Sequence, residues 1–468
     1  IASQCNPIDS PIRGCSIGGG SSVTSRDNQE RGRLVPAPES FLDADLVDEI
    51  HLSGVNAARR KLLRGALAAA TATAIAPIQA ADDPDILTLP SWSRTLGNPV
   101  VTTPYGQPSP FEAQVMKRQS PGLTQTNQAS VAFTPLQSLF GMITPSGLHF
   151  ERHHQGWVDI DPTRHRLMIN GLVDSPSVFT MADLLRLPSV SRIHFLECGA
   201  NTGLEWGNVA VPTVQYTHGM LSASEFTGVP VSLLLERAGY DRQRARFLLA
   251  EGADGSGMTR TINLDAALDD AIVAYGQNGE MLRPENGYPL RLVVPGVQGV
   301  SWVKWLRRLE VGDQPWGTKD ETSHYVDLMP DGTHRQYSGI QEAKSVITSP
   351  SGGQTLLQHG YYCVTGLAWS GRGTVSKVEV STDGGQNWRA ARVEGPALPK
   401  ALTRFNFDWV WNGEEALLQS RVTDSTGYTQ PTRNQLVARR GTRSIYHNNA
   451  IQTWRVAADG AVHNVQLG

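Results

Sequence analysis

Cysteine is scarce in this chain, with 4 residues in 468. That is too few for a disulfide scaffold, and no C-x-x-C-H is present to carry a covalent c-type haem. Neither a cysteine set spaced for an iron–sulfur cluster nor a flavin or nucleotide fingerprint occurs. An excess of one charge is also missing. The 41 basic and 44 acidic side chains leave a net charge of -3, so no basic field invites nucleic acid. Long apolar runs are missing too. The small-residue stretch at 66–76 is too short and too weakly apolar to span a bilayer. No heptad run or internal repeat is found. What remains is an ordinary globular composition, 40% hydrophobic, 18% charged and 7% aromatic, long enough for two or three domains.

Residues 57–80 read "AARRKLLRGALAAATATAIAPIQA". Arg59 and Arg60 precede Leu62 and Leu63, then an apolar run of small residues with alanines at 74, 76 and 80 as cleavage positions. This resembles a twin-arginine export signal, read by a receptor and removed, which places the mature protein in the periplasm after export in the folded state. A short amphipathic helix with a basic start is the competing reading. Residues 1–57 are rich in Gly, Ser and Asp and are expected to be poorly ordered; a start site assigned too early would explain a signal that lies inside the chain. The expected organisation is this extension (1–57), the signal (58–80), an extended arm (81–144), a catalytic domain (145–335) and a β-sandwich (336–468).

The catalytic segment mixes strand and helix patterns, predicting an α+β domain. "RLMINGLV" (166–173) reads as a strand and "TMADLLRLP" (180–188) as a capped helix. "YPLRLVVPGVQGVSWVKWLRRLEV" (288–311) reads as two strands joined by a glycine-bearing turn. Beyond about Gln341, polar and apolar residues alternate and are broken by "SGRG" and by Asp383-Gly384-Gly385, a hairpin signal. Short strands at that spacing predict an immunoglobulin-like all-β sandwich of roughly 110–120 residues.

Three stretches carry candidate chemistry. In "HFLECGANTGLEWGN" (194–208), Cys198 stands where a strand opens into a loop with Gly199 and Gly203. Packing is the commonest fate of an isolated cysteine. A glycine loop that lets backbone approach closely also suits a thiolate ligand to a soft metal. In "HFERHHQGW" (149–157), Arg152 lies among His149, His153 and His154. Zinc is one option, but adjacent histidines on a strand point to opposite faces and no H-E-x-x-H is present. An arginine fixed beside imidazoles suits an oxyanion or phosphate better. Arg291 and Lys304 flank a Pro-Gly turn, either as solvated charges or as a clamp on a phosphate.

In order along the chain, these segments resemble the sulfite oxidase-type molybdopterin oxidoreductase family. The resemblance rests on "FERHH" (150–154), "CGAN" (198–201), "AYGQNG" (274–279), "NGYPLRLVVPG" (286–296) and "VKW" (303–305), followed by Tyr325, "AWSG" (368–371) and "DGGQNW" (383–388). It runs from about Pro145 to Trp454. The family fold is a mixed molybdopterin domain followed by an immunoglobulin-like dimerisation domain. The resemblance implies a molybdenum–molybdopterin cofactor with Cys198 as the thiolate ligand and oxygen-atom transfer as the chemistry. Arg152 and Tyr325 would line the substrate pocket. Phe150, Arg152, His153, His154, Asp254, Arg291, Trp302, Val303 and Lys304 would hold the pterin. Asn286 stands where the family usually has a histidine, so its cofactor role is less secure.

The chain also departs from the family. Sulfite-oxidising members carry a substrate arginine five residues after the cysteine, and this chain has Gly203 there. Tyr216 replaces a pocket tryptophan of the family, and Arg443 is the nearest candidate for a later substrate arginine, with its register off by one. With "ECGANTGLEW", this loss of cations resembles the sulfane dehydrogenase branch of the family, which serves the periplasmic thiosulfate-oxidising system. That branch implies a sulfane sulfur on a carrier protein as substrate, oxidised to a sulfonate, with a c-type cytochrome subunit as electron acceptor. It also implies a homodimeric core within a larger hetero-oligomer and no haem in this chain. A sulfite dehydrogenase acting on free sulfite is the alternative on the same fold. A metal-free interaction protein built on a β-sandwich is the reading from another class.

Overall fold

Alternation along residues 166–171 decides the first layer. Leu167 and Ile169 are buried while Arg166 and Met168 face solvent, the period of a half-buried strand. The computed structural model describes residues 33–34, 90–119, 126–207, 210–322, 324–335, 339–443 and 446–467. The twin-arginine segment lies outside them, as does the N-terminal extension apart from Arg33–Leu34. The strand Arg166–Gly171 pairs antiparallel with Ser177–Thr180 and parallel with Leu306–Gly312; Phe247–Gly252 and Thr259–Asn263 complete a five-stranded sheet. Thr180 ends its strand by capping the helix Met181–Leu185. Its hydroxyl accepts from Asp183 N while the Asp183 carboxylate accepts from Thr180 N, so two otherwise unpaired amides are satisfied.

A second sheet joins Val190–Glu197, Leu221–Pro230, Ile272–Gln277 and Glu280–Met281, with Arg291–Val293 paired to Ile272–Gln277. Side chains of both sheets, among them Leu196, Phe226, Leu292 and Leu309, share one core with Trp302 from the loop between them. The 288–311 segment is only briefly the expected pair of strands. Leu292 N donates to Val303 O at 2.8 Å and Leu306 N to Leu290 O at 2.9 Å, with an isolated bridge between Arg291 and Lys304. The two strands then leave for different sheets, because each buries its apolar face against a different partner. The chain between them wraps through the short turn Gly299–Ser301 instead of a tight hairpin.

Residues 90–119 carry 3-10 turns at Ser91–Ser93 and Pro110–Glu112 and exposed apolar side chains such as Trp92 and Phe111. From Val131 the chain enters the body, where Val131–Phe133 pairs with Glu151–Arg152. The C-terminal region is an all-β sandwich. One sheet runs Lys344–Ser349, Gly360–Trp369, Thr403–Trp411, Arg392–Val393. The other runs Arg389–Ala390, Val375–Ser381, Ala416–Asp424, Thr453–Val456, Val462–Val465. The Asp383 turn closes the Val375–Ser381 ribbon onto Arg389–Ala390. Gly384 and Gly385 take φ of +74° and +90°, and the Asp383 carboxylate accepts from the amides of Gln386 and Asn387. An α+β domain followed by an immunoglobulin-like sandwich is therefore the observed fold. Among the described residues no helix is long and apolar enough to cross a membrane.

Trp454 fills the sandwich core and donates its indole N–H to Ile347 O at 2.9 Å. Trp454→Ala is expected to destabilise the sandwich by about 3–5 kcal/mol and Trp454→Phe by clearly less. Denaturant unfolding followed by circular dichroism checks both values.

Candidate functional site

The strand Val190–Glu197 becomes fully buried toward its end and delivers Cys198 into the protein interior. A turn follows at once: Cys198 N donates to Met220 O at 3.0 Å and Asn201 N to Cys198 O at 2.9 Å. Thr202 sits at φ +62°, a left-handed conformation that a β-branched residue adopts only when its surroundings hold it there. A Cβ at Gly199 would lie 2.7 Å from Gln298 Oε1, so a side chain there would have to displace the end of that buried glutamine. The Cys198 thiol is buried and in no disulfide.

The thiol borders a concave cleft, the form that small-molecule and cofactor sites take. Phe150, Arg152, His153, His154, Cys198, Asp254, Asn286, Arg291, Trp302, Val303, Lys304 and Tyr325 all line it. Residues separated by up to 175 positions in sequence are thus brought to one place, with Phe150 to Tyr325 as the extremes. His153 and His154 share the cleft because the strand Glu151–Arg152 ends before them, so strand alternation does not apply to that pair. Tyr216 and Arg443 are not among the lining residues. The Tyr216 ring sits on the helix Val214–His218 edge-on to Phe133 at 5.4 Å, and Arg443 is exposed beyond the helix Arg433–Arg440. Sequence reasoning overlooked His149 as a lining residue, together with Glu285 and Trp305. It also missed Tyr446, whose ring stacks on Tyr325 at 4.8 Å. The neighbours of Arg152, Asn286 and Lys304 in sequence were the available hint for the first three; nothing local marks Tyr446.

Buried cations dominate the electrostatics. Arg291 is 2% exposed and donates to Asn286 O at 3.1 Å and Trp302 O at 3.3 Å; burial pulls it down to about 9. Lys304 reaches His153 Nδ1 at 2.8 Å and the carbonyls of Arg152 at 3.2 Å and Glu285 at 3.3 Å. Burial, helped by the charge of Arg291, pulls Lys304 down to about 7. His154 is lowered to about 4 by burial and then by Arg152, so it is neutral near pH 7 and can accept from the Tyr325 hydroxyl at 3.5 Å. Burial pushes the Cys198 thiol up, opposed by the Ala200 amide and by Arg152. Burial likewise raises Tyr325, which stays a proton donor.

These features fit an anionic cofactor that brings its own metal. Among the described residues no group of three or more His, Cys, Asp or Glu is placed to hold an ion, so the chain offers one thiolate and the other ligands must come from a bound group. Three buried polar atoms of the cleft wall, His149 Nε2, Asp254 Oδ1 and Arg291 Nε, have no hydrogen-bond partner among the described residues. Unpaired buried polar atoms are costly and mark where a polar ligand belongs. Phe150, Trp302 and Val303 supply apolar wall beside the cations, as a flat heterocycle with a phosphate requires.

Comparison with known proteins agrees with this chemistry. Residues 154–319 match the oxidoreductase molybdopterin binding domain and residues 338–454 the Mo-co oxidoreductase dimerisation domain. The solved sulfane dehydrogenase SoxCD from Paracoccus pantotrophus is 49% identical, with a TM-score of 0.81, covering 82% of this chain and 99% of that one. Among curated proteins, the NADH nitrate reductase of Solanum lycopersicum is 31% identical over 342 residues, 64% of this chain and 37% of that protein. Nitrate reductase 1 of Arabidopsis thaliana is 32% identical over 317 residues, 60% of this chain and 34% of that protein. The chain thus spans about a third of the length of these curated relatives. It belongs to the sulfite oxidase-type molybdopterin oxidoreductases. Within that class, its likeness to SoxCD extends over nearly the whole of the matched chain.

The lowered Lys304 sets a stability window in cofactor-free protein. An unfolded lysine titrates near ~10.4, so between about pH 7 and 10 the unfolded chain holds a proton that the folded one has shed. Stability from this group therefore rises with pH across that window. Cofactor-free wild type is expected to gain stability relative to Lys304→Met as pH rises from about 7 to 9.5, read as the difference between their urea midpoints.

Proposed function

We propose that this chain is the molybdenum-dependent subunit of a periplasmic sulfane dehydrogenase. It oxidises sulfane sulfur carried on a cysteine of a partner protein to a sulfonate and passes electrons to a c-type cytochrome subunit. The observation that carries this reading is Cys198 at the floor of a cleft whose cations are buried. The likeness to the sulfane dehydrogenase SoxCD at 49% identity supports the choice of substrate. When bound, the molybdenum–molybdopterin group supplies two-electron oxygen-atom transfer.

The chain's own part is positioning and electrostatics. Cys198 provides the protein thiolate to the metal, where the metal's charge offsets the burial that otherwise keeps the thiol protonated. Arg291 and Lys304 neutralise the cofactor's anionic groups and regain a charge partner in doing so. Phe150, Trp302 and Val303 exclude water from one wall. Arg152 and Tyr325 face the substrate end, a cation and a hydroxyl donor beside the apolar Val300 and Met258. Asn286, His153, His154 and Asp254 complete the cofactor wall. Gly203 leaves the loop without a second arginine, so a small free dianion loses one charge-assisted contact. A less charged sulfur arriving on a protein arm loses little. Residues 338–454 would form the contact with a second copy of this chain, within a complex that also holds the cytochrome subunit. The twin-arginine segment would export the folded, loaded protein.

Two measurements test this reading. Cys198→Ser is expected to lower kcat at least about a hundredfold, roughly 2.7 kcal/mol of barrier, and to change the Mo(V) EPR spectrum. An unchanged spectrum refutes the ligand role. Steady-state turnover is expected to be fast with a carrier-bound persulfide and slow with sulfite. Brisk sulfite oxidation would move the assignment to a sulfite dehydrogenase.

A further inference from the structure

Directly behind Cys198 lies a buried ion pair that the chemistry above does not use. Glu197 is the last residue of its strand, and its carboxylate takes three donors. Lys344 Nζ reaches Oε1 at 2.8 Å, Asn201 Nδ2 reaches Oε1 at 3.0 Å and Trp369 Nε1 reaches Oε2 at 2.9 Å. Both members of the Lys344–Glu197 pair are 3% exposed. Lys344 also donates to the Thr202 hydroxyl at 3.0 Å. The same lysine therefore ties together the residue before Cys198 and the strained residue that ends its turn.

Lys344 and Trp369 belong to the second domain, and so do three further grips on this loop. His447 N donates to Gly199 O at 2.7 Å, Thr202 Oγ1 donates to Asn448 O at 2.9 Å, and Gln341 Nε2 donates to Glu197 O at 3.4 Å. Each of these partners falls within residues 338–454, the segment that matches a dimerisation domain. A buried charge pair adds little net stability compared with apolar packing, yet breaking one side of it is costly. Its plausible gain is conformational: two charges that must meet admit one arrangement of the backbone carrying them.

We infer that Lys344, through Glu197 and Thr202, positions Cys198, so that the second domain sets the geometry of the thiolate at the metal. The inference rests on Cys198 being the ligand. Lys344 touches neither substrate nor cofactor; it is a positioning residue. Removing its charge leaves the Glu197 carboxylate buried with two neutral donors, and the 198–202 turn relaxes to re-pair it. Displacements of that kind cost rate while leaving substrate binding largely intact.

The test uses full-length holoenzyme carrying Lys344→Met, Lys344→Arg or Trp369→Phe. Lys344→Met is expected to keep molybdenum and pterin contents near wild type and to shift the Mo(V) EPR signal. Its kcat is expected to fall about tenfold or more, with KM within about threefold of wild type. Lys344→Arg retains the charge and is expected to restore the signal. Trp369→Phe keeps the packed ring, removes one donor to Glu197 and shifts the signal less. In cofactor-free full-length protein, peptide mass mapping is expected to show faster iodoacetamide labelling of Cys198 in Lys344→Met. In whichever of Lys344→Met and Trp369→Phe folds, an unchanged EPR signal with unchanged Cys198 labelling overturns the inference, even if thermal stability falls. The two readings fail separately. An unaltered signal in Cys198→Ser removes the ligand role itself, whereas a signal altered by Cys198→Ser but not by Lys344→Met removes only the positioning.

Discussion

Arg291 is buried and Lys304 beside it is mostly buried, neither makes an ion pair with a carboxylate among the described residues, and burial has pulled Lys304 down to about 7. Burying a cation without a partner is costly, so a fold that keeps two of them in one cleft is built to receive an anion. Other features of the cleft follow from that requirement. The three histidines beside them are neutral near pH 7 and so add no further positive charge. Burial favours the protonated thiol, and a metal ion bound as proposed would stabilise its anion. Cofactor binding of that kind would relieve both penalties at once and couple loading to stability.

The α+β domain and the sandwich were legible because strand alternation and turn residues are local signals. Leu167 and Ile169 show the alternation, and Asp383-Gly384-Gly385 the turn. Most of the cleft was legible for a different reason. Cys198, Arg152, Arg291, Lys304 and Tyr325 stand in short segments whose order is that of a known family. The pairing of residues 288–311 was not legible, because which sheet a strand joins depends on partners more than a hundred residues away, such as Arg166–Gly171. Tyr216 shows the limit of placing a side chain by its distance from a motif. The 3-10 turn Gly203–Gly207 and the helix Val214–His218 reset the direction of the chain, and the ring ends against Phe133. Tyr446 lies 121 positions from Tyr325, the ring it stacks on, and no local pattern could announce it.

The Tyr325 side of the cleft differs in kind from the Arg291 side. Tyr325, Tyr446 and Val300 form a small buried cluster with Ala200 and Met258 against it, and Arg260 places its guanidinium 5.3 Å from the centre of the Tyr325 ring. Arg152 is the cation that lines the cleft there. A dianion gains most from several convergent charges, while a polarisable sulfur on a carrier arm gains from apolar and aromatic contact with one cation nearby. Gly203 and this cluster therefore support the proposed substrate class through independent physical terms, one by removing charge and the other by supplying apolar surface.

The loop that carries Cys198 cannot be understood from its own domain. Thr202 at φ +62° costs about 1–3 kcal/mol that local sequence does not repay. Hydrogen bonds from Thr202 N to Thr217 O, to Asn448 O from its hydroxyl, and from Lys344 to that hydroxyl hold it in place. Two of those three partners come from the sandwich. A change that loosens the sandwich near Lys344, even one far from the cleft surface, would thus release strain stored at the Cys198 turn. The second domain in this sense helps to shape the cleft, although none of its described residues line it.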